Sequence, residues 1–541
     1  MTNSSKETVD VTDPPSRSLG ISKSRFLTCL TLLLTLLVPM LIFPASVSRL
    51  LDETYAFISG TFGSLYLLSG LTTFGILIWL MFSAYGEVRL GSIDEQTEFS
   101  TTSWISMLFC AGIGAGLMRW AALEWAYYYL DPPHGLAPRS AAATDWAMSY
   151  PLFHWGPIAW SYYCLPTLAI AYPYYVKKIP VFSYGVSLYG LLGKRCLDGP
   201  LARVFDVLFV ISLLGGAGYS LGISVPLISG AFCELTGFRD GFATRAVFAL
   251  VCVLIFSCSV FVGLSKGIRL LSEINAYLAL LLLLFVFAVG PTFFILESSF
   301  GSFAFMCKNF LSMSTGIGSF TDSSFIENWT VFYWAWWLAY APFIGLFVAR
   351  ISRGRTLREV ILAMLVFGSG GCMLFFQVFG NYALHLETVQ EADVLSMLTS
   401  EDGGHVTATL AILKTLPLPS IVIAIFCFIC ILFCSTTYDS ASYTIASAVT
   451  LKHKETDEPS KWNCAFWAFA LAALPISLMW IDEQQGTAAA ELGMKSILLL
   501  TSLPILFLTA LSAWSLIRQL RIDKKASSPS RKPTIRRGEH E

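Results

Sequence analysis

Long apolar runs recur through this chain between Phe26 and Leu516, and each is about as long as a helix that crosses a lipid bilayer, which takes about 20 residues. Within lipid, a helix is one of the few structures that bond all of their own backbone polar groups. Of the 541 residues, 55% are hydrophobic and only 13% are charged, which excludes an ordinary soluble domain. The sequence therefore predicts an all-α integral membrane protein with twelve transmembrane helices. The predicted spans are residues 26–46, 63–84, 103–123, 146–172, 204–232, 244–262, 270–296, 330–349, 360–382, 418–449, 463–481 and 495–516.

Polar segments flank these runs on both sides. Residues 1–25 are predicted to form a cytoplasmic N-terminal tail, residues 26–516 the twelve-helix domain, and residues 517–541 a basic cytoplasmic tail that is disordered from Arg518. With both termini inside, 27 of the 35 Lys and Arg residues lie on the inner side and 7 on the outer side, which agrees with the positive-inside rule. We therefore expect a multi-pass protein of the plasma membrane, the bacterial inner membrane, whose partners include the lipid bilayer and no nucleic acid.

The eighth predicted span is unusually rich in aromatic residues. Trp329, Tyr333, Trp336 and Tyr340 follow at helical spacing and share one face, and Trp337 lies beside them. Aromatic ring faces attract cations, most strongly where water is excluded. A belt at the membrane interface would also explain Trp329 and Tyr333, but the other three lie deeper in the span. The pattern favours a binding site for a quaternary ammonium group or a similar soft cation.

Residues 334–359, WAWWLAYAPFIGLFVARISRGRTLRE, resemble the signature helix of the betaine–carnitine–choline transporter family over a long ungapped match. The polar loop and glycine-rich third helix, residues 83–120, resemble the same family. The resemblance implies a LeuT-like fold, as in sodium-coupled amino-acid transporters, in which helices 3–7 and 8–12 are inverted five-helix repeats and helices 1 and 2 are additions. It also suggests a homotrimer.

The resemblance implies a substrate site as well. Several aromatic side chains of predicted helices 3, 4 and 8 are expected to surround the substrate, and Glu124 and Tyr127 match positions of the carnitine-exchanging branch. The expected aromatic box consists of Tyr127, Trp155, Trp160, Tyr163, Trp336, Trp337 and Tyr340.

Two ionisable residues lie in or next to the third span, where a charge is costly and indicates function. Arg119 occupies a position where the family usually has an aromatic residue. Our hypothesis is that Arg119 binds the anionic end of a zwitterionic substrate and disfavours a pure cation such as choline. Glu124 is expected near the outer water. A structural Arg–Glu link between helices is an equally good interpretation of these charges.

Glycine and proline mark interruptions of three spans. Gly112, Gly114 and Gly116 predict a loosened third helix that offers backbone carbonyls to a ligand, although glycines also allow close helix packing. Pro157 predicts a kinked or loosened helix between Trp155 and Trp160. The GGAGYSLG stretch at residues 215–222 predicts a third softened helix.

The end of the tenth span is rich in side-chain oxygens. Hydroxyls and a carboxylate there could ligate Na⁺, a hard cation, or the hydroxyls could bond back to their own helix. The resemblance implies that Ile113, Phe433, Thr436 and Thr437 are the Na⁺ ligands, and Tyr219 replaces a threonine linked to a second ion in the family. The oxygen-bearing side chains are those of Thr436, Thr437, Asp439, Ser440 and Ser442.

Together these features predict a secondary active transporter of glycine betaine, carnitine, choline or a related compound, working by alternating access as a Na⁺ symporter. A Na⁺-independent exchanger of the same substrates is one alternative, and a non-transporting membrane sensor is another. An enzyme is not predicted, because neither a nucleophile–base pair nor a metal constellation accompanies the histidines. No cofactor is predicted beyond Na⁺ as the coupling ion.

Overall fold

A computed structural model describes residues 20–527 except 93, 113, 263, 317–323, 401–403, 451–458 and 486. The described part contains twenty α-helices, with four 3-10 turns and four π-helical turns, and no strand beyond two isolated bridges. The helices are α1 (Lys23–Ile42), α2 (Pro44–Phe82), α3 (Thr101–Gly112), α4 (Ala115–Leu130), α5 (Ala141–His154), α6 (Pro157–Ala171), α7 (Tyr189–Leu192), α8 (Gly199–Thr236), α9 (Phe242–Val262), α10 (Leu264–Val289), α11 (Thr292–Thr315), α12 (Phe332–Ile351), α13 (Leu357–Leu362), α14 (Ser369–Phe375), α15 (Asn381–Thr388), α16 (Val394–Thr399), α17 (His405–Lys414), α18 (Pro419–Ala448), α19 (Lys461–Gln485) and α20 (Thr487–Ser527).

The predicted class, an all-α integral membrane protein, is confirmed. Within the described residues, eight helical segments are long and apolar enough to cross a bilayer, or nine if α10 and α11, bent by 110°, form one span. Two further predicted spans coincide with pairs of shorter helices, α3 with α4 and α5 with α6. The count of twelve and the inverted repeats stay predictions.

Two of the three predicted interruptions are present. The third span breaks between Gly112 and Ala115, and the fourth breaks between His154 and Pro157. The predicted softening at residues 215–222 is wrong, because α8 runs unbroken through this stretch. Its glycines make room for neighbouring helices instead: a Cβ at Gly216 would lie 3.0 Å from Cδ2 of Tyr340.

The aromatic helix α12 lies at the centre of the bundle. It begins with a π-helical turn, Ile326–Val331, and packs against α6, α8 and α20. In the most apolar part of Ile326–Ile351, 89% of the residues are buried by protein, against 22% for Lys23–Ile42. Trp329 and Tyr333 are buried too. The interfacial-belt interpretation of these two residues is therefore wrong.

Two arginines that follow α12 contact α3 and the connection between α2 and α3. Nη2 of Arg353 lies 2.5 Å from Oε1 of Glu95. Hydrogen bonds from the backbone N–H and hydroxyl of Ser92, together with Arg353, hold the pKa of Glu95 below its usual value. The guanidinium of Arg355 lies 4.6 Å from the ring centre of Trp104. This end of α12 is thereby held in place.

The ends of the membrane domain lie elsewhere than expected. Helix α20 continues to Ser527, so the disorder predicted from Arg518 onward is wrong for residues 518–527. The hydroxyl of Tyr172 donates to Oδ2 of Asp523 at 2.5 Å, which attaches the end of α20 to the bundle. Helix α1 starts at Lys23, inside the predicted N-terminal tail. Residues 1–19 and 528–541 lie outside the described part.

Candidate functional site

Four aromatic rings converge where α12 faces the break between α5 and α6. We call Trp155, Tyr333, Trp336 and Trp337 the aromatic cluster. The ring centres of Trp155 and Trp337 are 4.7 Å apart at 75°, and those of Trp155 and Trp336 are 5.7 Å apart at 80°. The rings of Trp336 and Trp337 stack at 5.3 Å. All four side chains are buried by protein, so they face one another and not lipid.

The other predicted box residues lie around this cluster. The ring of Tyr163 is 5.9 Å from that of Trp337, and the ring of Trp160 is 5.7 Å from that of Tyr163, behind it. Tyr340 points its hydroxyl to Oγ of Ser220 at 2.9 Å. Trp160 and Tyr340 therefore line the edge of the group and not its centre.

Tyr127 lies on a different side of the site. Its ring is 5.4 Å from that of Trp329 and 5.8 Å from that of Trp120. Its hydroxyl accepts a weak bond from Nη2 of Arg119 at 3.4 Å. Tyr127 thus belongs with the charged residues described below.

The carboxylate of Glu124 anchors the aromatic cluster. Oε2 accepts hydrogen bonds from the hydroxyl of Tyr333 at 2.6 Å and from Nε1 of Trp155 at 2.9 Å. Oε1 accepts a bond from the hydroxyl of Tyr128 at 2.7 Å and lies 3.3 Å from Nδ1 of His154. The expectation that Glu124 lies near the outer water is wrong, because its side chain is 0% exposed. Glu124 fixes two of the four rings of the cluster.

The helix break at residues 154–157 places another ring. Helix α5 ends at His154, so its carbonyl is free to accept a hydrogen bond from Nε1 of Trp337 at 2.9 Å. The imidazole of His154 stacks on Tyr333 at 4.7 Å and lies 3.0 Å from Oγ1 of Thr330. The broken helix and Glu124 together hold three of the four rings by their polar atoms.

The start of α4, just after its break from α3, positions Trp336. A Cβ at Gly116 would lie 3.0 Å from Cη2 of Trp336, so glycine at this position allows the ring to approach α4 closely. The ring of Tyr219, on α8, contacts the same indole at 4.7 Å. Both a break and a close approach therefore come from one glycine-rich segment.

Three charged residues lie next to the aromatic cluster, and we call Arg119, Glu491 and Lys495 the ionic cluster. Nη2 of Arg119 donates to Oε2 of Glu491 at 2.7 Å, and Nζ of Lys495 lies 3.5 Å from Oε1. The guanidinium of Arg119 lies 4.6 Å from the ring centre of Trp120. The structural Arg–Glu link between helices, one of the two interpretations from sequence, is present, with Glu491 and not Glu124 as the partner.

The oxygen-rich end of the tenth predicted span lies in α18. The hydroxyl of Thr436 donates to the carbonyls of Leu432 and Phe433 at 2.9 and 3.1 Å, as in the helix back-bonding alternative. Oγ1 of Thr437 faces the α3–α4 break, 3.7 Å from where a Cβ of Gly114 would lie. No group of three or more His, Cys, Asp or Glu side chains that could hold a metal ion occurs among the described residues. Ile113 lies outside the described part.

Several residues of the site were not predicted from the sequence. Glu491 and Lys495 form a charged i, i+4 pair at the start of an apolar helix, and that isolated pair was the available signal. Phe376 lies 5.2 Å from Trp155 in a π-helical turn, Phe376–Gly380, which carries no such signal.

Comparisons with known proteins cover nearly the whole bundle. A family model described as betaine/carnitine/choline family transporter, BCCT, matches residues 25–525. An uncharacterized transporter of Escherichia coli, YeaV, is 35% identical over 457 residues, which are 84% of this chain and 92% of that protein. A carnitine transporter of Acinetobacter baumannii is 33% identical over 85% of this chain and 80% of its own length. A glycine betaine transporter of Acinetobacter baylyi is 30% identical over 94% of this chain and 74% of its own length.

Proposed function

We propose that this chain, which belongs to the betaine/carnitine/choline family of transporters, carries a zwitterionic or cationic quaternary ammonium compound by secondary active transport. The observation that supports this substrate class most directly is the burial of Trp155, Trp336 and Trp337 against one another at the centre of the bundle. The same class is carried by the related carnitine and glycine betaine transporters.

The chemistry of the rings fits a methylated nitrogen. In an edge-to-face pair, the positive ring edge of one indole meets the negative face of another. A quaternary ammonium group is a positive, weakly hydrated surface, so it can replace such an edge over the face of Trp336 or Trp337. Each cation–π contact contributes about 0.5–2 kcal/mol in a desolvated site, and several of them suffice for micromolar binding after ordering costs.

We propose Na⁺ as the co-transported ion, with Ile113, Phe433, Thr436 and Thr437 as its ligands. A hydroxyl that donates to a carbonyl still has lone pairs for a cation, so the bonds of Thr436 are compatible with this role. Oγ1 of Thr437 faces the break between α3 and α4, where helical carbonyls lose their partners. Exchange without Na⁺ is the alternative.

Broken helices beside the site suit alternating access. In such transporters, helix ends bind substrate and ion near the middle of the membrane, and one bundle rocks against the other. We place the protein in the bacterial inner membrane with both termini in the cytoplasm, because 27 of its 35 Lys and Arg residues then lie inside. A homotrimer is proposed on family resemblance alone.

Counterflow in proteoliposomes tests the proposal. The purified protein is reconstituted with internal carnitine, glycine betaine or choline, and entry of the labelled compound is followed with and without an inward Na⁺ gradient. Symport predicts accumulation driven by the gradient, and exchange predicts entry only against internal substrate, with or without Na⁺. Binding of these compounds without entry would indicate a sensor, and the lack of both binding and entry would contradict the proposed substrate class.

A further inference from the structure

The ionic cluster contains more positive than negative charge in a largely buried place. The side chain of Arg119 is 1% exposed and that of Lys495 is 13% exposed, and both pair with the single carboxylate of Glu491. Nζ of Lys495 lies 4.6 Å from the ring centre of Trp329. Ring faces compensate such cations only in part, because a cation–π contact is weaker than a buried ion pair. One more negative charge would therefore be electrostatically favourable in the ionic cluster.

Hydrogen-bond donors beside the cluster lack acceptors. Within the described part of the chain, Nε of Arg119, Nε1 of Trp336 and the hydroxyl of Tyr219 are buried and have no hydrogen-bond partner. Tyr219 connects the other two, since its ring contacts Trp336 at 4.7 Å and it lies within electrostatic range of Arg119. Buried N–H and O–H groups are rarely left without a partner. Three of them around Trp336 and Arg119 leave hydrogen-bond sites that a ligand's acceptor oxygens could fill.

The position of these donors relative to the aromatic cluster sets the distance a ligand must span. Gly116 contacts Trp336, and Arg119 follows Gly116 by three residues on α4. One turn of helix separates them, roughly 5 Å along the axis. A molecule with its ammonium group on Trp336 could therefore place a carboxylate a few bonds away at Arg119.

Resting on the proposed function, we propose that Arg119 and Lys495 form a subsite for the carboxylate or sulfonate of a zwitterionic substrate, and that Glu491 occupies this subsite when no substrate is bound. On binding, the substrate's anionic group takes the place of Glu491 between Arg119 and Lys495, and Glu491 turns towards water. Glu491 is suited to this exchange because its side chain is 26% exposed, the most of the three. The transporter then selects zwitterions over pure cations.

Ligand binding to purified, reconstituted protein tests this subsite. The probes are carnitine and its primary amide, which share the quaternary nitrogen and the spacer but differ in the negative charge. The variants are Arg119→Gln, Arg119→Lys, Glu491→Gln and, as a matched ion-pair control, Arg245→Gln. Arg245 pairs with Asp240 at 2.9 Å and is partly buried, as Lys495 is, but belongs to neither cluster.

Substitutions of Arg119 and of Glu491 should change the preference for carnitine over the amide in opposite directions. Arg119→Gln should lower the affinity for carnitine about tenfold or more and that for the amide less, because both probes lose a hydrogen bond from the guanidinium but only carnitine also loses an ion pair. Glu491→Gln removes the competing negative charge, so the preference for carnitine over the amide should rise. Arg119→Lys should retain part of the preference, and Arg245→Gln should leave it unchanged.

If the ion pair is purely structural, Arg119→Gln and Glu491→Gln should each lower the affinities for both probes by the same factor. That result would overturn the subsite. If Arg119→Gln fails to fold, Glu491→Gln decides alone, since an unchanged or lower preference for carnitine contradicts the exchange. If the unmodified protein binds neither probe, nor glycine betaine, nor choline, the proposed function fails and this subsite with it. Binding of carnitine and the amide with equal affinity by the unmodified protein would overturn only the subsite.

Discussion

Two carboxylates near the centre of this bundle, the fully buried Glu124 and the partly exposed Glu491, have contrasting surroundings. Glu124 is 0% exposed and receives bonds from the Tyr128 and Tyr333 hydroxyls and the Trp155 indole. Glu491 is 26% exposed and faces two cations. Neutral donors on closely packed rings hold a carboxylate in one position. Long charged side chains can move, so they can release one anion and bind another. Glu124 thus holds two rings of the aromatic cluster. In our proposal, Glu491 has a different role, as the competitor of a substrate's anionic group for Arg119.

The largest expected effect separates the two carboxylates directly. Glu124→Gln replaces one oxygen of a fully buried carboxylate by an N–H₂ group. The hydrogen bonds from Tyr128, Tyr333 and Trp155 then lose the negative charge that strengthens them, and at least one must rearrange, at a cost of about 1–3 kcal/mol. At position 491 the new N–H₂ group can turn to solvent, and the amide oxygen still accepts from Arg119. Glu124→Gln should therefore lower the free energy of unfolding by roughly 2–4 kcal/mol, and Glu491→Gln by clearly less.

Thermal unfolding in detergent micelles, monitored for both variants beside the unmodified protein, checks this difference. The affinity for ligands should follow the same order. Glu124→Gln disturbs Trp155 and Tyr333, so it should lower the affinity for every quaternary ammonium ligand, cationic or zwitterionic. Equal destabilisation by the two variants would remove the distinction between a fixed and an exchangeable carboxylate.

A smaller effect is expected within the aromatic cluster. Trp337→Leu removes a ring face and the donor to the His154 carbonyl, so the affinity for quaternary ammonium ligands should fall about tenfold. Trp467→Leu is the matched control, because Trp467 is equally buried but packs against Phe26 and Phe466, which belong to neither cluster. Isothermal titration with glycine betaine measures both, and a similar loss in the two variants would mean that Trp337 only packs.

The smallest expected effect lies at the contact between α4 and Trp336. Gly116→Ala places a methyl group 3.0 Å from this indole and 3.1 Å from Cδ1 of Ile223, so the ring must shift by a few tenths of an ångström. We expect a few-fold loss of affinity and little change of stability. Gly60→Ala, where nothing lies within 4 Å, is the control and should change neither. Full affinity in Gly116→Ala would show that the exact position of Trp336 is unimportant.

Local signals in the sequence predicted part of this arrangement. Gly112 and Pro157 mark helix breaks because glycine and proline act on their own backbone, whatever surrounds them. The aromatic residues of α12 share a face because helical spacing alone decides it. Fold class and the convergence of Trp155 with Trp336 and Trp337 were expected on these grounds, combined with the resemblance to a family.

Features that depend on contacts between distant segments were missed. Arg119 and Glu491 are 372 residues apart, and no periodicity relates them. The glycines of α8 resemble those of the third span in composition, but they accommodate side chains such as Tyr340 and leave the helix intact. Whether glycine loosens a helix or lets a neighbour approach is decided by packing, which the sequence of one segment does not contain.

Ring faces in the aromatic cluster, in our proposal, bind the positive charge of a methylated nitrogen and not merely its apolar surface. This is tested by the affinities of the unmodified protein for glycine betaine and for 3,3-dimethylbutyrate, in which a neutral carbon replaces the quaternary nitrogen. Glycine betaine should bind at least about tenfold more tightly, and Trp337→Leu should reduce this ratio. Equal affinities for the two compounds, with the ratio unchanged in Trp337→Leu, would contradict this proposal.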